Sequence, residues 1–157
     1  MAHAHKTVFQ FISEPTDVNY GGNVHGGMVM KWIDQVGFAC ASEYAGRYCV
    51  TVYVGGIRFI SPIAIGDLVR LEAKVIYTGK TSIHIAVDVF SRKMTDKKFH
   101  QTTHCVMVFV SMENGKPHPV KPFEPHSEAE IQMHQYAIKL MDLRKDIESE
   151  MKQFIGK

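Results

Sequence analysis

The chain predicts an α+β domain in which one antiparallel sheet lies against a long helix. Three observations carry that prediction. One strand-like run precedes a glycine-rich turn and a long apolar-periodic segment; four further strand-like runs follow, joined by short turns; and those runs alternate apolar with polar residues. A sheet with one apolar face and a helix with one apolar stripe can bury each other, which is a stable two-layer solution.

Thr7 to Ile12 is β-branched and aromatic and predicts the first strand. Ser13-Glu-Pro-Thr-Asp-Val-Asn19 is its polar exit, with Pro15 unable to continue a ladder. The turn Asn19-Tyr-Gly-Gly-Asn-Val-His25 leads into a helix expected from about Gly26 to Tyr44, closed by the C-cap signal Ala45-Gly46. Val29, Trp32, Ile33, Val36, Ala39 and Cys40 recur there at spacings of three and four and make its apolar face. Gly26 and Gly27 are expected to leave backbone N–H groups open at the positive helix end, a place for an oxyanion or phosphate.

A second stripe of Met30, Asp34, Gly37 and Ala41 puts a carboxylate among small residues and a thioether, where partial withdrawal from water disfavours the charged form. Gly27 and Asp34 are two turns, roughly 10 Å, apart, so a cleft along the helix could present both to one elongated substrate. The plainer alternative from these residues alone is an Asp34 that is solvated, or paired with Lys31, beside a merely tight loop.

Tyr48 to Ile60 predicts a long strand interrupted by Gly55-Gly56, a bulge signal. Ser61 to Gly66 is a turn, after which Val69, Leu71, Ala73 and Val75 alternate with Arg70, Glu72 and Lys74 up to Tyr77. Beyond the turn at Thr78-Gly-Lys80, Ile83, Ile85, Val87 and Val89 oppose His84 and Asp88. Met94 to Lys98 is a hairpin tip, and Phe99 to Met112 completes a meander.

Pro117, Pro119, Pro122 and Pro125 mark a stiff linker that is neither strand nor helix interior. Ser127 with Glu130 reads as a capping box opening a helix to about Phe154 and Gly156, striped by Leu140, Leu143, Ile147, Met151 and Phe154. At roughly 40 Å this helix outreaches a small domain, and it is expected to lie across a neighbouring subunit. The chain thus divides into 1–120, the sheet-and-helix domain, and 121–157, the linker and C-terminal helix.

Composition bounds the function. A net charge of +2 over 157 residues gives no footprint for nucleic acid, and the start of the chain lacks the apolar core of a signal peptide. No apolar run is long enough to span a membrane. Cys40, Cys49 and Cys105, without a CxxC spacing, fit buried thiols in a reducing compartment, so a cytoplasmic location is expected. No zinc or calcium spacing occurs. His100 and His104 on one strand are roughly 13 Å apart, too far to share a metal; His3 and His5 could chelate only weakly, on an end expected to be disordered.

The pattern Gly22-Asn-Val-His-Gly-Gly-Met-Val-Met-Lys-Trp-Ile-Asp34 resembles the signature of hotdog-fold acyl-CoA thioesterases of the cytoplasmic acyl-CoA hydrolase type, short bacterial relatives included. Phe59 to Asp67 and Gly79 to Ile83 are similar to further family segments, and the resemblance covers about residues 6 to 120. Gly55-Gly56 departs from it, since larger residues are usual there. The resemblance implies a hotdog fold, an antiparallel sheet wrapped around a long central helix, here with a C-terminal helix added.

It also implies an enzyme that hydrolyses acyl-CoA to a fatty acid and coenzyme A, with no metal and with no cofactor beyond the coenzyme A of substrate and product. Asp34 would activate the water, or less readily act as nucleophile, and Asn23 from the partner subunit would orient the water or the carbonyl. His25, Gly26, Gly27 and Met28 would orient the substrate and hold the oxyanion, while Arg58, Gly79, Lys80, Thr81 and Ser82 would bind coenzyme A. Arg92, Lys93, Lys97 and Lys98 read more simply as a solvated hairpin tip.

The active unit implied is a homodimer, assembled as a hexamer of three dimers. Two alternatives compete: a hotdog dehydratase or hydratase of 3-hydroxyacyl thioesters, and a non-catalytic acyl-CoA binding protein. The Asn-x-His-Gly-Gly turn with Asp34 argues against the first, and the presence of both Asn23 and Asp34 against the second.

Overall fold

The computed structural model describes residues 5–157. Strand β1 (Lys6–Ile12) and a 3-10 turn at Pro15–Asp17 precede helix α1 (Gly26–Ala45). Then follow β2 (Cys49–Phe59), β3 (Leu68–Thr78), β4 (Ser82–Arg92), β5 (His100–Glu113), the two-residue β6 (Lys116–Pro117) and helix α2 (Glu128–Ile155). The sheet is antiparallel throughout, in the order β1-β3-β4-β5-β2, with β6 appended to β5. Its inner face curves around α1, which touches all five long strands.

The meander holds for β3 to β5, but β2 does not stand beside β3. It runs back along α1 to the far edge next to β5, and β1 takes the place beside β3. The pairing of β2 slips between Thr51 and Tyr53 and again between Gly55 and Arg58, where Gly56 adopts a φ of 62°. Pro117, expected in linker only, sits in the short edge strand β6, where a missing N–H does no harm.

Burial explains why α1 sits where it does. Val29, Ile33, Val36 and Cys40 pack into the sheet among Leu71, Ile85, Val87 and Phe109. The second helix stripe splits: Gly37 and Ala41 are buried, whereas Met30 and Asp34 are exposed. Gly37 is where helix and sheet come closest, because a Cβ there would meet Met107 Sδ at 3.0 Å and the Phe109 ring at 3.1 Å. All three thiols are buried; burial pushes Cys40 up to about 11 and Cys105 to about 12, leaving both inert near neutrality.

Helix α2 is capped as its sequence predicts. Ser127 Oγ accepts from the Glu130 N–H at 3.1 Å, Glu130 Oε1 accepts from the Ser127 N–H at 3.2 Å, and Gly156 ends the helix at a φ of 70°. Its placement differs from expectation. The first half does not reach for a neighbour but covers the outer face of its own sheet, where Met133, Tyr136, Ala137 and Leu140 meet Ile76, Ala86 and Val106. Those three outward-facing apolar side chains need cover, and α2 supplies it; beyond Leu140 the side chains of its apolar stripe are at least half exposed.

A polar relay fastens the same half. Asp88 Oδ1 lies 2.7 Å from His104 Nδ1, and His104 Nε2 lies 2.9 Å from the Tyr136 hydroxyl on α2. At the chain's start His3 falls outside the described residues. His5, contrary to the expectation of a disordered end, pairs with Glu130 at 3.3 Å and lies beside the Phe123 ring. Among the described residues no helix is long and apolar enough to cross a membrane, and no three His, Cys, Asp or Glu side chains converge as a metal site.

His84 provides a pH signature. Its ring is 5% exposed under α2, edge-on to Tyr77, and burial, with Arg144 second, lowers its pKa to about 4. The unfolded chain takes up this proton near pH 6.5 and the folded chain only near 4, so stability is complete above 6.5 and falls between those values. The loss should approach ~3 kcal/mol for this group once the pH is below 4. Urea midpoints of wild type and His84→Phe, compared from pH 7.5 down to 4.5, should diverge, with the variant less dependent on pH.

Candidate active site

The glycine-rich turn is built before any ligand arrives. Asn19 Oδ1 accepts from the N–H groups of Gly21 at 2.8 Å and Asn23 at 3.0 Å, closing the turn on itself. Backbone bonds then tie its exit to two neighbours: His25 N–H to Asp17 O at 2.7 Å and Val24 N–H to Ile63 O at 2.8 Å. Asn23 itself forms a bridge with Ala64.

The helix start is less open than its glycines suggest. His25 is the N-cap, and its Nδ1 accepts from the Gly27 N–H at 2.9 Å. The Met28 N–H donates to His25 O at 2.9 Å. Gly27 and Met28 are therefore not free oxyanion donors; among the described residues the amide of Gly26 keeps no partner within the chain. His25, read from sequence as a substrate-orienting residue, has a structural role of its own as the cap. His25→Asn should preserve helix stability, whereas His25→Ala should cost about 1 kcal/mol, measured as a urea midpoint shift.

Asp34 lies on the outer flank of α1, exposed in the single chain and bracketed one turn either way by Met30 and Phe38, themselves 45% and 40% exposed. Its partner is a hydroxyl rather than Lys31: Thr51 Oγ1 on β2 donates to Asp34 Oδ1 at 2.9 Å. That bond fixes the carboxylate's rotamer and leaves its other oxygen free to take a proton. Thr51 was not visible from sequence, since a β-branched residue in a strand looks the same whether or not its hydroxyl is used.

Eight residues separate Gly26 from Asp34, about 12 Å of helix, so the turn and the carboxylate of one chain do not face a common water. The remaining predicted residues divide in the same way. Arg58 pairs across from His104, and Phe59 beside it adjoins Gly26, so Arg58 lies toward the helix-start end. It opens on a cleft with Lys74, Asp88 and Gln101 on the sheet's outer face.

Gly79, Lys80, Thr81 and Ser82 make the β3–β4 turn, in which Gly79 N–H bonds Ser82 O at 3.0 Å and Ser82 Oγ at 3.2 Å. Ser82 pairs with Val110, six residues along β5 from His104, hence roughly 20 Å from Arg58. One chain does not gather these groups into a single coenzyme A site. A second chain that joins the two ends would bring them together.

The second surface such a meeting needs is present. Among the described residues strand β2 pairs only with β5, leaving its other edge unpaired. That edge, Val52, Val54 and Tyr48 with it, continues into the exposed Met30 and Phe38 around Asp34. An unpaired edge beside an apolar patch is the usual mark of a surface that takes a partner.

Residues 21–97 match the thioesterase superfamily. Acyl-CoA thioester hydrolase YciA of Salmonella typhimurium is 33% identical over 117 residues, covering 72% of this chain and 88% of the relative. Among solved structures, a hexameric acyl-CoA thioesterase superposes with a TM-score of 0.88 at 30% identity, covering 91% of this chain and 92% of its own. An acyl-CoA hydrolase from Staphylococcus aureus, solved with butyryl coenzyme A and coenzyme A, does so with a TM-score of 0.90 at 27% identity, covering 98% and 94%.

Proposed function

The chain belongs to the thioesterase superfamily, and from that premise we propose that it hydrolyses acyl-CoA thioesters to free fatty acid and coenzyme A. The observation that carries the chemistry is the Asp34 carboxylate, held by Thr51 on a flank of α1 that only a second subunit can cover. Covered so, the carboxylate and a water trapped beside it are shut off from bulk solvent, the setting in which it can act as a base on that water.

Asp34 takes the proton of that water, whose oxygen attacks the thioester carbonyl; the tetrahedral intermediate collapses with coenzyme A leaving as its thiolate. The alternative, attack by Asp34 itself through a mixed anhydride, uses the same geometry. An asparagine from the other subunit orients the water or the carbonyl, with the free Gly26 amide as an oxyanion donor. No metal or separate cofactor enters these steps.

Spacing supports Asn19 rather than Asn23 as the turn's contribution. Solved variants of the Staphylococcus aureus hydrolase carry alanine at an asparagine, at an aspartate fifteen residues later and at a threonine seventeen beyond that. Asn19, Asp34 and Thr51 stand at the same two spacings. Asn19 is therefore preferred to Asn23. Its Oδ1 is spent on the turn, which leaves its amide NH₂ to donate outward.

In this reading a homodimer joined at the free edge of β2 brings Asn19 of one chain opposite Asp34 of the other, and three such dimers make six chains, the number in the hexameric relative. Arg58 and the 79–82 turn then flank the coenzyme A moiety from different chains. A cytoplasmic setting goes with the three reduced, buried thiols; neither nucleic acid nor a membrane is needed as partner.

Mixed assemblies test this. Asn19→Ala and Asp34→Ala homomers should each fail to release thiol from acyl-CoA, whereas subunits mixed after unfolding and refolding should recover activity, because one interface then holds both intact residues. Mixtures as inactive as the parents would remove the shared site.

A further inference from the structure

Between α2 and the outer face of the sheet, on the side away from α1 and Asp34, lies a cavity of about 230 Å³. Its walls are apolar: Val106 and Val108 of β5 form the floor, Leu140 and Ile147 of α2 the roof. The departure at Gly55-Gly56 makes room for it. A Cβ at Gly55 would lie 2.3 Å from the Tyr53 ring, so the glycine lets that ring fold flat over β2 and carry the Arg144 guanidinium 4.1 Å above it at the rim.

Besides the Tyr53 hydroxyl, two polar side chains interrupt this apolar lining. His84 is 95% buried, opens into the cavity, and forms no hydrogen bond with the described residues. Its nitrogens are not sealed in the core but meet the cavity, where an occupant can bond them. Arg144 donates from Nε to Glu148 Oε1 at 2.7 Å, while its other N–H groups bond nothing else among the described residues. The field of Arg144 reaches His84, so guanidinium and imidazole bear on the same space.

We propose that this cavity is a second binding site, for a medium-chain alkyl carboxylate whose head lies between His84 and Arg144 and whose chain runs between β5 and α2. The charge at the rim selects an anion, the neutral imidazole supplies a donor N–H inside, and the rest of the lining selects hydrocarbon. Its volume is that of roughly eight waters, and so of about as many methylenes. The site stands on the cavity itself and not on the proposed hydrolysis, although that reaction would release such carboxylates.

The test is isothermal titration of the full-length protein with decanoate and with decan-1-ol, coenzyme A being present at saturation to occupy the thioester site. Decanoate should bind once per subunit and at least tenfold tighter than the alcohol. Arg144→Gln should weaken decanoate at least tenfold and leave the alcohol unchanged; Leu140→Trp, which fills the cavity, should abolish both while the unfolding midpoint holds. Absence of decanoate binding, binding indifferent to both variants, or a change in subunit number with Arg144→Gln that shows the cavity covered by another copy's α2, overturns the proposal. Thiol release measured on the same samples separates the two readings: hydrolysis without decanoate binding removes only this site, and binding without hydrolysis removes only the thioesterase.

Discussion

Replacing Asp34 by alanine should lower thiol release from acyl-CoA by about 10²- to 10⁴-fold, the range a positioned general base contributes. Subunit number and unfolding midpoint should stay within experimental error, since the side chain is exposed and, among the described residues, bonds only Thr51. Asp34→Asn is the sharper variant, because it keeps an acceptor for Thr51 and removes only the base. If Asn is as damaging as Ala, geometry is not the cause of the loss.

Thr51→Val should cost less, about tenfold, because the carboxylate survives but its rotamer is no longer pinned. A single turnover in ¹⁸O water separates base from nucleophile. Direct attack by water puts the label into the first fatty acid released, whereas an anhydride on Asp34 that opens at the aspartyl carbonyl delivers an unlabelled oxygen from the side chain. An Asp34→Asn enzyme with full activity would end both mechanisms.

The second large effect concerns the fold itself. Phe109 is fully buried at the contact between β5 and α1, against the face of Gly37. Phe109→Ala should cost ~3–5 kcal/mol, because the rigid pair of helix and sheet cannot collapse into the space the ring leaves. Against a typical total of about 5–15 kcal/mol this is a large share, read as a fall in the urea midpoint at unchanged slope.

Its neighbour is an internal control. Val108 points to the other face, where it borders the cavity under α2 and already lacks part of its packing. Val108→Ala should cost less than about 2 kcal/mol. Equal costs at the two positions would mean that the two faces of β5 are equally well packed, contrary to the structure.

What could be read from the sequence is what local physics determines. Gly46, Ser127, Glu130 and Gly156 are stop and start signals whose effect is confined to a turn of helix, and both long helices begin and end within a residue or two of where those signals put them. The bulge at Gly55-Gly56 is local in the same sense. The edge position of β2 is not: alternation tells which face a strand buries but not which strand it adjoins.

The docking of α2 was legible in principle. Ile76, Ala86 and Val106 are apolar on a face otherwise carrying Arg70, Glu72 and Asp88, and an apolar island on an outer face must be covered by something. The helix-start amides were misread for a narrower reason. Histidine is not a common N-cap, so the occupation of the Gly27 N–H by the ring nitrogen of His25 could not be anticipated from residue preference. Thr51 and Asn19 depend on contacts and spacings that a single sequence does not display.

The strand order carries a consequence for how the chain comes into being. Among the described strands β1 is made before the others, yet it pairs with β3, which follows α1 and β2; β2 in turn waits for β5. The first half of the nascent chain therefore leaves the ribosome with no partner for either of its strands and with α1 lacking a sheet to lie on. At about 5–20 residues per second that interval lasts several seconds, during which the apolar flank of α1 and the β2 edge are open to any other chain nearby. The strand that carries the edge later available for joining two subunits is thus itself without a partner until β5 is made.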